Sequence, residues 1–188
     1  MLKPNGYEDV QTGEYTPIEL GGHHAIIKQV KVQVSTTGKN MIVVVIDFAD
    51  NDKQPKYFSE QFANDVRPEK KWPYQAIQYI VVESQDGKTS KSFKSFITAF
   101  EKSNNCEATW GDKFCDQFKN KKIGVVYGNV EEEYNGEIKK RRRIRWFAKD
   151  DGILDANIPI DKLISSGVKP NADGFNSISS NEAEEIPF

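Results

Sequence analysis

The sequence predicts a mainly β domain: a five-stranded Greek-key barrel with one helix between its third and fourth strands, followed by a disordered acidic C-terminal tail. Three observations lead there. Segments of period two, separated by turn residues, recur from His24 to Phe147; one stretch, Ser90 to Ser103, has helical period; and beyond residue 166 the chain turns to Ser, Asn, Gly and Pro. The 188 residues suffice for one domain with a core and a tail. We divide them into an extended lead-in (1–22), the barrel (23–165) and the tail (166–188).

Pro4, Pro17 and Gly21-Gly22 make the lead-in a poor candidate for regular structure. His24 to Val34 reads as the first strand, and Ser35 to Asn40 with Gly38 as the turn into Met41 to Phe48. Met41 to Ile46 is apolar at every position, which predicts burial on both faces. Lys56 to Phe62 alternates imperfectly and reads as a short strand, while Tyr74 to Glu83 reads as another; both compete to be the third of the barrel. Phe93, Phe96, Ile97 and Phe100 place an apolar stripe on the helix, with Thr89 and Ser90 as capping candidates. Asn104 to Asn120 surrounds Trp110, Phe114 and Phe118 with polar residues and suits a short second helix. Ile123 to Val130 pairs through a type I′ turn at Asn135-Gly136 with Glu137 to Phe147.

That last strand packs Lys139, Lys140, Arg141, Arg142, Arg143 and Arg145 into seven positions. Strict alternation puts Ile138, Ile144 and Trp146 on a buried side, and Lys139, Arg141, Arg143, Arg145 and Phe147 on a cationic one. Guanidinium groups beside aromatic rings suit a polyanion with exposed bases. The plainer alternative is a sheet edge guarded by charge. Asn64 to Tyr74 adds Arg67, Lys70, Lys71 and Trp72, although Trp72 and Tyr74 could equally pin this loop to the core. Lys39 in the first turn, and Tyr57, Trp72, Tyr127 and Phe147 as stacking platforms, complete the candidate surface for a nucleic acid. It is the surface of a five-stranded oligonucleotide-binding barrel, which takes its ligand across strands 2 and 3 and the loops joining strands 1 to 2 and 4 to 5.

Charge is unevenly spread. Residues 150–188 hold eight acids and two bases, whereas residues 1–149 hold 24 bases and 20 acids. The segment 1–6 lacks a signal-peptide core, and no apolar run is long enough to span a bilayer, so a soluble, cytoplasmic protein is expected. Cys106 and Cys115 fit reduced thiols. Neither metal nor cofactor is expected: His23 and His24 are adjacent and point to opposite faces of a strand, and no phosphate-cradling loop or nucleophile motif occurs. Asp47, Asp50 and Asp52 are the one opening for a metal-dependent nuclease, the alternative to a non-enzymatic binding protein.

The chain ends in Glu182, Glu184, Glu185, Ile186, Pro187 and Phe188, which resembles the acidic tip of bacterial single-stranded DNA-binding proteins. Gly21 to Phe48, Tyr57 to Trp72 and Ser90 to Phe100, with Gly21-Gly22, Gly38-Lys39 and Lys70-Lys71-Trp72, are similar to a family of bacteriophage single-stranded DNA-binding proteins. The resemblance implies a role in phage replication or recombination in the host cytoplasm. It also implies a tip, Glu184 to Phe188, that recruits replication, repair or recombination proteins. A protein-interaction module that uses the tip and binds no DNA is the third reading. A homo-oligomer would gain avidity from linked barrels.

Overall fold

The computed structural model describes residues 16–84 and 86–164. The expected tail, its tip at Glu184, Glu185, Ile186, Pro187 and Phe188, and residues 1–15 of the lead-in lie outside the described residues. Five antiparallel strands form one sheet: β1 (Gly21–Val34), β2 (Asn40–Phe48), β3 (Ile77–Val81), β4 (Lys122–Tyr134) and β5 (Glu137–Ala148), in the order β3-β2-β1-β4-β5. The sheet is not closed, and β3 and β5 are its edges. Two α-helices accompany it, α1 (Tyr57–Ala63) and α2 (Lys91–Asn104). No helix among the described residues is long and apolar enough to cross a membrane.

Local chemistry accounts for the boundaries. Ser90 accepts the Phe93 amide at 3.1 Å and so caps α2, and Asn105 ends it in the left-handed region at φ 50°. Phe93, Phe96, Ile97 and Phe100 face the sheet and meet Phe118 and Phe147 in the main core. Asn135 and Gly136 have φ of 53° and 77°, the positive pair that a type I′ hairpin requires. β2 is buried on both faces: Ile42, Val44 and Ile46 enter the main core, whereas Val43 and Val45 join Ile77, Trp72 and Tyr79 in a smaller outer cluster.

One open choice is resolved and two expectations are corrected. The third strand is Ile77–Val81, within the second candidate segment, and Lys56 to Phe62 is not a strand because Tyr57–Ala63 is helical. Its cap comes from far away in the chain. Lys56 has φ 53° and offers no acceptor, so the buried Asp47 at the end of β2 takes the Phe58 amide at 3.0 Å, the Ser59 amide at 3.3 Å and the Ser59 hydroxyl. Asp47→Ala is expected to cost about 2 kcal/mol by leaving those donors unmet, measured by urea denaturation. Finally, the second helix in Asn104 to Asn120 reduces to one 3₁₀ turn, Asp116–Phe118, which sinks Phe118 into the core.

Candidate nucleic-acid interface

β5 and the loop before β3 come together. A cleft of roughly 480 Å³ is lined by Arg67 and Lys71 from the loop, Tyr74 and Gln75 from the 3₁₀ turn that leads into β3, and Arg141 and Arg143 from β5. Segments about seventy residues apart in sequence thus supply four cations to one concavity.

Arg143 is the most constrained of them. Its guanidinium lies 4.3 Å from the Tyr74 ring centroid and donates to both carboxylate oxygens of Glu132, at 2.6 and 2.7 Å. Arg141 shares that carboxylate at 3.6 Å, and its side chain is 45 % exposed against 15 % for Arg143. One acid on β4 therefore holds two arginines at the mouth of the cleft, and one bidentate pair is planar and preorganised. Burial pushes the Tyr74 hydroxyl up, with Arg143 pulling it down and Glu132 pushing it up. On the opposite wall, Arg67 donates to Asp65 at 2.6 Å, and these bonds hold the Asp65 carboxyl well below the usual range. Gln61, Gln75 and Glu132 were not among the sequence candidates; Tyr74 was named within the Asn64 to Tyr74 segment, as a ring that either meets the nucleic acid or pins the loop.

The other candidates scatter. Lys140 pairs with Asp161 at 2.8 Å, a bond that lowers the Asp161 pKa with help from Asn129. Lys139 pairs with Glu137 at 2.9 Å near the hairpin tip. Arg145 donates to the carbonyls of Ile160 and Asn129, and Arg142 to that of Ile18, so both tie extended segments to the sheet. Lys70 donates to the Ala63 carbonyl at 2.7 Å. Lys39 is half-buried in the β1–β2 turn and does not line the cleft.

The stacking platforms need correction. Tyr127 is 0 % exposed and its hydroxyl donates to the Gln75 carbonyl at 2.8 Å, so no base reaches it. Phe147 is 6 % exposed against Phe96, whereas Trp146, assigned to the core, is 42 % exposed. The cause is a bulge: Val126 opposes Trp146 and Tyr127 opposes Ile144, so Arg145 has no opposite residue and the alternation reverses beyond it. Trp72 donates its indole N–H to the Ile46 carbonyl at 3.1 Å and packs on Phe62, and Tyr57 donates to the Thr16 carbonyl. Both rings pin segments to the body, the plainer of the roles open to Trp72.

The acids after β2 are also committed. His23 and His24 point to opposite faces, one to Asp52 and the other to Asp150. Asp52 is buried, accepts the His24 and Gln54 amides at 2.8 and 2.9 Å, and lies 2.9 Å from His23 Nδ1. Burial raises its pKa, but these contacts outweigh it and hold the carboxyl below its ordinary value. A depressed folded pKa means stability present above the unfolded value of about 3.9 and lost as pH falls through the folded one. Asp52→Asn is therefore expected to lower stability at pH 7 by about 1–3 kcal/mol and to flatten the acid limb below pH ~4, as chemical denaturation across pH 2–7 would read.

No family model matches the chain, and no curated protein matches its sequence.

Proposed function

We propose that the protein is a non-enzymatic, sequence-tolerant single-stranded DNA-binding protein, acting in phage replication or recombination and recruiting partner proteins through the terminal segment Glu184 to Phe188. The observation that carries this reading is the cleft in which Arg67, Lys71, Arg141 and Arg143 converge beside Tyr74. Cations on mobile or paired side chains meet phosphates, and a guanidinium plane already stacked on a tyrosine offers its other face to a base. The strand order, with a helix between β3 and β4 and free edges at β3 and β5, supports an oligonucleotide-binding barrel left open between its third and fifth strands. In this reading the DNA runs along the β5 side, because the outer side of β2 and β3 carries the packed cluster of Val43, Val45, Ile77 and Trp72.

Glu132 makes the proposal sharp. Its carboxylate occupies Arg143 and touches Arg141, so a phosphate must compete with it. Glu132→Gln is expected to tighten binding of labelled oligo-dT about three- to tenfold, since removing one acid from a cationic cleft is a change on the order of 1 kcal/mol. Weaker or unchanged binding in a fluorescence anisotropy titration would count against phosphate capture at this cleft. β5 is an edge strand, which favours one second reading: its charges only guard the edge, and the Arg141 and Arg143 side chains are then irrelevant to DNA.

A further inference from the structure

A larger concavity lies further along β5. Thr89 to Lys102 of α2 and its approach form one wall, Phe147, Ala148 and Lys149 the other, and the space is about 850 Å³. Lys91, Lys94 and Lys102 of α2, together with Lys149, line it with the hydroxyls of Ser95 and Thr98, and no carboxylate among the described residues lines it. Lys149 pairs at 2.8 Å with Asp151; Lys94 and Lys102 have no ion-pair partner among the described residues. Positions 91, 94, 95, 98 and 102 fall on one stripe of the helix, a run of about 16 Å at 1.5 Å per residue. Lys91 and Lys94, three residues apart, repel one another, whereas Lys102 in the last turn suits the helix dipole; an anion laid along the stripe would meet all three.

The shape of the site selects the anion. A single phosphate would need converging donors, whereas these lysines are spread along a line. β5 borders both concavities: Arg141 and Arg143 line one and Phe147 to Lys149 the other, and from Arg143 to Lys149 the chain advances about 20 Å. Lysine is a point charge that binds phosphate without demanding planar geometry, and the buried Phe147 offers no ring face to a base. We propose that this groove is a second phosphate path that carries the same DNA strand on from the Arg141–Arg143 cleft, gripping its backbone and leaving its bases outward. The inference rests on the DNA-binding reading above and adds a footprint to it.

The test is the double variant Lys94→Gln with Lys102→Gln, which keeps good helix formers on an exposed surface. Labelled oligo-dT of about 5 and about 16 nucleotides, the two ends of the range for one such barrel, is titrated by anisotropy at several salt concentrations. The short oligonucleotide should bind the variant within about twofold of wild type. The long one should lose about tenfold, with a salt slope shallower by about 1.4, or about 0.7 for each lost phosphate contact. Lys94→Arg with Lys102→Arg should restore the long-strand affinity, which excludes misfolding as the cause. An unchanged affinity and slope for the long strand would overturn the second path, as would equal losses for both lengths. Loss of binding to a synthetic peptide of residues 182–188 with no change in DNA binding would overturn it too, assigning the groove to an acidic peptide. If wild type binds neither length, the DNA-binding reading itself fails, an outcome distinct from all of these.

Discussion

Replacing Arg141 and Arg143 together by Ala is expected to weaken single-stranded DNA binding by about 30- to 100-fold at moderate salt. Hydrogen bonds to charged groups are worth about 1.5–3 kcal/mol each, and here part of that is offset because both arginines must first leave Glu132. The log–log salt dependence should become shallower by about 1.4. The two single variants should differ. Arg141→Ala removes an exposed cation and little else, whereas Arg143→Ala also strips Glu132 of its bidentate partner and uncovers the Tyr74 ring. Arg143→Ala should therefore cost more affinity, and adding Glu132→Gln should recover part of the loss. Anisotropy titrations of the four variants check this, and affinities within twofold of wild type for the double arginine variant would support the edge-guarding reading instead.

Gly22→Ala is expected to be the most damaging single methyl in the fold. A Cβ there would stand 1.7 Å from the Ile153 carbonyl oxygen and 2.6 Å from its carbon, both backbone atoms that cannot swing aside. Gly22 and Gly124 form the seat on which the turn Ile153–Asp155 lies, since a Cβ at Gly124 would also meet Ile153, at 2.8 Å. The cost should reach on the order of 3–4 kcal/mol, at the upper end for overpacking, and lower Tm by about 10 °C. Gly38→Ala supplies the contrast: φ is 77° but nothing lies within 4 Å, so only the left-handed penalty of about 1–2 kcal/mol applies. The consequence reaches β5, because the segment after this turn places Ile160 and Asp161 against Arg145 and Lys140. Thermal denaturation followed by circular dichroism separates the two variants; a Gly22→Ala melt close to wild type would refute the seat.

Local periodicity carried most of the fold. The alternation of β1, the unbroken apolar run of β2 and the Phe stripe of α2 each follow from which sides are covered by the core, and each is visible in a short window. What depended on distant partners was not legible. α1 is capped by Asp47, ten or more residues away on β2, so its own residues look like a broken strand. The bulge at Arg145 reverses the facing of Trp146 and Phe147, and no composition signal marks it. The cationic character of the site was legible in β5 and in the Arg67–Lys71 loop, and the structure brings these two segments together. Which cations face the cleft was not, because Arg142 and Arg145 reach carbonyls of segments far off in the chain.

The most direct measurement is a pair of anisotropy titrations of wild-type protein, one with labelled oligo-dT and one with a duplex of equal length, each at low and moderate salt. The DNA-binding account predicts preference for the single strand and an affinity that falls steeply as salt rises through counterion release. Absence of binding to either form at low salt would contradict it, and would leave the acidic terminal segment as the functional element of the chain.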